Sequence, residues 1–387
     1  MKGSSTLAKT ILIFSAHYIP HIGGVEIYTA NLAKELQKMG HHVIIITNNL
    51  YNLAEHENLD FGAEIYRLPC LSLINGRLPL PKFNKQRTLL LQELKTRLKD
   101  YVVINTRFYP HTFTGVRVAE NANVKPIVID HGSAYLTLGN RIADTIIKAY
   151  EQTTTHFLKK HPIDFYAVSK KGLEWLETFQ IKGKGVLNNS IDANLFSNQA
   201  SERDFRDELN ISKTAFVVSF IGRLIPEKGV IPLMQSAKEL LGYSDIYFIV
   251  AGEGPLKQTI EDYNLRNVYL TGKIDPSDVA ALLKTSDCFC LPSRSEGFST
   301  SLLETAACKT TPIITSVGGV DELIPTREYG VVLDSASPKA ITKAILQLYK
   351  DRDLNKKMAT NIYQKVVDEF SWKATAEKVL TACEEAN

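Results

Sequence analysis

Short apolar runs alternate along this chain with longer stretches whose apolar residues recur at helical spacing. Ile11–Ser15 has the continuous apolar character of a buried strand, and a loop carrying Gly23-Gly24-Val25-Glu26 follows it. Ile27–Met39 is then amphipathic with a helical period and closes at Gly40, and Val43–Thr47 reads as the next strand. Further strands are predicted at Val102–Asn105, Ile127–Asp130 and Phe165–Ser169. Lys182–Asp192, rich in glycine, lysine and asparagine, reads as a linker. A second alternating series places strands at Phe216–Ile221, Tyr247–Val250, Val268–Thr271, Cys288–Leu291 and Pro312–Thr315. This βαβ rhythm, broken once near the middle, predicts two doubly wound parallel α/β domains.

The chemistry-bearing residues collect after the predicted strands, where ligands of such sheets bind. Gly222-Arg223 and Lys228-Gly229 follow one strand, and their two cations, five positions apart across a glycine-bounded turn, can both converge on one diphosphate, against the plainer reading of two surface cations. Lys273 and Ile274 follow another, and His131-Gly132 a third. The stretch from Glu296 to Glu304 crosses from the Cys288–Leu291 strand into a helix starting near Ser299. Gly297, Phe298, Ser299 and Thr300 bring free backbone N–H groups and a positive dipole end to an anion. The two carboxylates suit neighbouring sugar hydroxyls, against the plainer reading of two surface glutamates beside a helix cap. Gly23 and Gly24 open a second anion cradle. Their spacing is not the GxGxxG of dinucleotide binders, which argues against a nicotinamide cofactor.

Composition narrows the class. With 387 residues, 44% apolar and 22% charged, the chain is that of a globular protein long enough for two cores. Its five cysteines form no CxxC pair and read as reduced residues of a cytoplasmic protein. No signal peptide is indicated, and no apolar run approaches the roughly 20 residues of a membrane span. The first half is basic and the second acidic. Much of the basic excess lies between Gly76 and Lys99, where Arg77, Lys82, Lys85, Arg87, Lys95, Arg97 and Lys99 accompany a lone Glu93. Leu91, Leu94 and Leu98 form an apolar stripe there, with Phe83, Leu89 and Leu90 beside it. A basic amphipathic helix of this kind lies on an anionic membrane surface, or is a solvated face packed by its leucines; the two readings weigh equally.

In order, Gly23-Gly24-Val25-Glu26, His131-Gly132, Asn189-Ser190-Ile191-Asp192, Gly222-Arg223 with Glu227-Lys228-Gly229, Gly252-Glu253-Gly254-Pro255, and Glu296 with Glu304 resemble the motifs of the family 4 retaining glycosyltransferases. The resemblance covers nearly the whole chain. It implies a GT-B fold, two facing Rossmann-like doubly wound domains with an interdomain cleft. Residues 1–188 would form the acceptor-side domain and residues 189–369 the nucleotide-sugar-binding domain, with a terminal helix in residues 370–387 returning to the first. Ser299-Thr300 and Lys309 depart from the family pattern, the first in a place that bears on which sugar is accepted.

The implied activity is retaining transfer of a hexose from a nucleotide diphosphate sugar to a sugar or lipid-linked oligosaccharide in cell-surface polysaccharide synthesis. A UDP-sugar is the first choice of donor, with GDP-mannose or a dTDP-sugar as alternatives; a nucleotide-sugar epimerase is the alternative from another class. By resemblance Glu304 holds the ribose, Glu296 the donor sugar, Lys273 and Ile274 the base, and His131 the sugar near its reacting carbon. Arg223, Lys228, the helix start after Gly297 and the Gly23-Gly24 amides neutralise the leaving diphosphate. A metal is then unnecessary, and no cofactor is expected; Asp351-Arg352-Asp353, the one Asp-x-Asp, falls in a late polar helix. No nucleic acid partner is expected. The location expected is cytoplasmic, peripheral to the membrane if the basic stretch docks there.

Overall fold

The computed structural model describes residues 7–387 except 22, 75, 136–140 and 295–297. The chain divides into two compact units: unit 1 runs up to Asn189 and adds Trp372–Asn387, and unit 2 is Ser190–Ser371.

Unit 1 contains β1 (Thr10–Ser15), β2 (His42–Asn48), β3 (His56–Asn58), β4 (Glu64–Leu68), a β5–β6 hairpin (Cys70–Leu73, Leu78–Pro81), β7 (Tyr101–Asn105), β8 (Ile127–Asp130) and β9 (Asp164–Ala167). Seven of these form one sheet in the order β3-β4-β2-β1-β7-β8-β9, parallel except at the β3 edge. Its strands read as continuous apolar runs because helices cover them, and β1, β2, β7 and β8 are buried almost throughout. The helices that matter below are α1 (Gly24–Lys38), α2 (Lys85–Thr96), α3 (Pro110–Glu120) and α4 (Arg141–Leu158). The helix Trp372–Ala386 belongs to this unit. Trp372 meets Tyr28 of α1 edge-on at 5.5 Å, Thr375 donates to the Asn188 carbonyl at 3.1 Å, and Asn387 exchanges hydrogen bonds with the Lys125 backbone.

Unit 2 contains β10 (Phe216–Ile221), β11 (Ile246–Ala251), β12 (Val268–Gly272), β13 (Cys288–Leu291), β14 (Thr311–Thr315) and β15 (Val331–Leu333). All are parallel, in the order β12-β11-β10-β13-β14-β15. Phe216, Phe220, Phe248 and Phe289 fill the core.

Each sheet has one place where the strand order reverses. In unit 1 it lies between β1 and β7, because the chain winds outward through β2 and β4 and then returns. In unit 2 it lies between β10 and β13. Crevices outside the carboxyl ends at such switch points are where open α/β sheets bind ligands.

The basic stretch differs from its sequence reading. Arg87 is buried, Arg97 pairs with Glu64, and the Lys99 ammonium donates to the carbonyls of Leu94, Lys95 and Arg97. Three of the seven cations are thus part of the fold. The buried stripe is Leu90 and Leu94, while Leu98 lies beyond the helix end and is 80% exposed. Among the described residues no helix is long and apolar enough to cross a membrane.

Candidate active site

In unit 1 the loops after β1, β7 and β8 and the first turn of α1 surround a cavity of about 200 Å³. His17, Glu26, Tyr109 and His131 line it, so the cavity lies at the switch point. Behind β7, Thr106 holds φ 74°, a strained conformation for a β-branched residue. It is fixed there by its N–H to the Ile129 carbonyl (2.8 Å) and by Thr112 Oγ1 donating to its own carbonyl (2.8 Å).

A hydrogen-bond chain sets the tautomer of His131. Thr29 donates its hydroxyl proton to the Val25 carbonyl at 2.8 Å, so it accepts from the Asn105 amide, also at 2.8 Å. The Asn105 carbonyl then faces His131 Nε2 at 3.0 Å, and that nitrogen must carry the proton. Nδ1 is left as an acceptor. Part of the ring's surface is open, yet protein packed round it holds the pKa down at about 3 by desolvation. His131 is therefore a neutral hydrogen-bonding group throughout the physiological range.

Three features of this region escaped the sequence reading as site elements. Glu26 is buried, with His21 Nδ1 3.1 Å and His17 Nδ1 3.9 Å from its carboxylate, and a Cβ on Gly23 would collide with it. His17 points Nε2 at the Gly76 carbonyl (2.8 Å), and burial lowers its pKa. Arg107 is fully buried and bridges Asp130, the residue before His131 (3.2 Å), and Glu151 of α4 (3.1 Å). The Gly23-Gly24-Val25-Glu26 spacing was the signal that could have placed Glu26. Nothing local announces the Arg107 network.

In unit 2 the loops after β10, β11 and β12 are tied together by their backbones. Gly222 N–H donates to the Ala251 carbonyl and Gly252 N–H to Gly272, while Leu224 and Glu253 pair at 3.0 Å. A Cβ at Gly252 would overlap the Gly222 carbonyl, so these turns approach as only glycine allows. Arg223 stands exposed on the first loop. Lys228 ends a short 3₁₀ turn, Pro226–Lys228, that closes at Gly229 with φ 71°, against the Pro292 carbonyl. The loop after β13 is pinned to this turn: Arg294 N–H donates to the Glu227 carbonyl at 2.8 Å and Ser293 Oγ at 3.2 Å.

The helix that follows is Thr300–Ala307, capped by buried Ser299, whose hydroxyl accepts from Leu302 N–H at 3.3 Å. Phe298 packs towards Phe370 (6.0 Å) and fills the space over Gly319. Glu304, on this helix, is half-buried, and among the described residues no hydrogen bond or ion pair holds its side chain. Desolvation raises its pKa to about 7. Ile274 packs on a satellite core and Lys273 is exposed. Glu296 and Gly297, central to the sequence reading, lie outside the described residues. Asp351 serves as a helix cap, accepting from Leu354 N–H at 2.9 Å.

The raised pKa of Glu304 has a consequence for stability. A folded-state pKa above the unfolded value means that the folded protein holds this proton more tightly, so the contribution is favourable at low pH and is lost as pH rises through about 7. Glu304→Gln should therefore raise Tm at pH 8 but not at pH 4.5. Equal Tm changes at both pH values in differential scanning fluorimetry would count against a strained carboxyl there.

Residues 22–194 match the family described as Glycosyltransferase Family 4, and residues 201–365 match Glycosyl transferases group 1. An uncharacterised glycosyltransferase of Methanocaldococcus jannaschii is 26% identical, covering 95% of this chain and 96% of that protein. A human phosphatidylinositol N-acetylglucosaminyltransferase chain is also 26% identical, over 96% of this chain and 75% of its own length. Among solved structures, Anabaena HepE in complex with UDP and glucose superposes with a TM-score of 0.71 at 16% identity, covering 97% of this chain and all of that one. Two doubly wound units with their ligand loops at the switch points, in this company, define a glycosyltransferase of the GT-B fold. The chain belongs to the family 4 glycosyltransferases, of the group 1 type.

Proposed function

We propose that this enzyme transfers a hexose, with retention and without a metal ion, from a nucleotide diphosphate sugar to a saccharide or lipid-linked saccharide. The observation that carries the reading is the pinned turn of unit 2. Arg223 and Lys228 stand on a loop whose backbone is bonded at Glu227 to the loop entering the Ser299-capped helix, and Glu304 stands on that helix. Two cations, a helix start and a carboxylate at one switch point match a diphosphate joined to a ribose. UDP is the favoured nucleotide, in keeping with the UDP complex of HepE.

In this mechanism the bond from the anomeric carbon to the diphosphate oxygen breaks while the acceptor oxygen attacks from the same face. The acceptor's proton passes to the departing phosphate oxygen, and Arg223 and Lys228 stabilise the charge that develops there. His131, neutral with Nδ1 open, accepts a hydrogen bond from a sugar hydroxyl, and Glu296 holds the donor sugar.

A lipid-linked acceptor in cell-surface polysaccharide synthesis is favoured by two features. Lys82, Lys85 and Lys95 are exposed beside Phe83 and Leu89, which are 86% and 54% exposed, an arrangement suited to an anionic membrane surface. The human relative is also, by its name, part of a phosphatidylinositol N-acetylglucosaminyltransferase.

The test is a thermal-shift screen against UDP-, GDP- and dTDP-sugars, followed by turnover with and without EDTA and assignment of the product anomer by NMR. The expected results are the largest shift with a UDP-sugar, activity kept in EDTA, and a product with the donor's configuration. A rate abolished by EDTA and restored by Mn²⁺, or an inverted product, would overturn the mechanism.

A further inference from the structure

A second cavity, of about 510 Å³, opens between α2 and α3 and shares no lining residue with the His131 cavity. Arg87, Lys95 and Arg117 line it together with Phe83, Leu91 and Val118, and no carboxylate does. Arg87 is the informative member. It is 3% exposed, and its guanidinium donates only to neutral oxygens, Thr114 Oγ1 at 2.9 Å and the Pro69 carbonyl at 3.4 Å. Among the described residues no carboxylate pairs with it. Arg107 of the same unit, equally buried, has two. A desolvated guanidinium without an anion is costly, and the cost is met when an anion enters.

We propose that this groove seats the phosphate of an anionic lipid, with Arg87, Lys95 and Arg117 on the phosphate and Phe83, Leu91 and Val118 along the first methylenes of the chain. Three cations with no acid select an anion. The apolar wall and the exposed Phe83 ring select an amphiphile over free phosphate. The proposal rests on the membrane reading above and adds a discrete site to what would otherwise be a diffuse attraction.

The full chain is titrated by calorimetry with dihexanoyl phosphatidic acid below its micelle concentration, with dihexanoyl phosphatidylcholine and inorganic phosphate as controls. In a separate arm it is sedimented with vesicles of phosphatidylglycerol in phosphatidylcholine. Monomeric phosphatidic acid should bind about tenfold or more tightly than either control. Arg117→Ser and Lys95→Ser should each weaken that binding by about threefold, in the range of exposed charges, with turnover of a soluble acceptor unchanged. Arg87→Met should abolish it, and if that variant fails to fold the two surface variants decide. Inorganic phosphate binding as tightly as phosphatidic acid overturns the lipid assignment. Unchanged affinity in both surface variants overturns the groove. Vesicle binding without monomer binding overturns the groove and leaves the membrane reading standing, whereas monomer binding without vesicle binding supports the groove and removes the membrane reading.

Discussion

Lys228→Ala and Arg223→Ala are each expected to lower kcat/KM by about a hundredfold or more, roughly 2.7 kcal/mol of lost transition-state stabilisation. The loss should fall mainly on kcat, because charge on the leaving diphosphate grows as the glycosidic bond breaks. Neither side chain belongs to a core, and the turn that carries them is held by its backbone, with Lys228 N–H donating to Ile225 and Ile225 N–H to Arg223. Tm should accordingly change little. Since both cations act on one group, the double variant should lose less than the product of the single losses. Steady-state kinetics with near-normal turnover in both single variants would remove the diphosphate assignment.

His131→Ala should cost a comparable amount, about a hundredfold in kcat, by removing a fixed hydrogen-bonding group from the reacting sugar. With its pKa held at about 3, His131 should add no limb to the pH–rate profile between pH 5.5 and 8. A limb in that range that vanishes in the variant would show a proton-transferring histidine instead. The stability effect has the opposite sign to that of Glu304. A histidine whose folded pKa lies below the unfolded 6.5 makes the unfolded state the better proton binder, so folded stability falls as pH drops below about 6.5. Wild type should thus lose more Tm than His131→Ala between pH 7 and pH 5. His111, buried and likewise held at about 3, leaves a residual acid sensitivity in both.

Most strands were legible because a parallel sheet covered on both faces reads as plain apolar runs; Ile127–Asp130, Phe216–Ile221 and Cys288–Leu291 carry the bounds read from sequence. β4 was not legible. Its segment Glu64-Ile65-Tyr66-Arg67-Leu68 is fully buried yet carries two charges, which survive there only because Glu64 pairs with Arg97, His42 and His56, and Arg67 with Glu57. Partners on other elements, 8 to 33 positions away, leave no periodic pattern within the strand itself. The same applies at the site. Arg223, Lys228 and Glu304 announce themselves after predicted strands, whereas Arg107 gains its meaning from Asp130 and Glu151, 23 and 44 positions away. In α2, sequence counts cations but cannot separate Arg87, interior and neutral-bonded, from Lys95 on the surface.

The two units differ in how the ribosome delivers them. Unit 2 is one uninterrupted segment, Ser190–Ser371. Unit 1 is split, and Trp372, which packs on Tyr28, is translated more than three hundred residues after its partner. The first half of the chain must therefore wait, with part of α1 uncovered, until Trp372–Asn387 arrives. Completion of the unit that carries His131 is a late event in biosynthesis, because its sheet and its closing helix lie at opposite ends of the segment that folds as unit 2.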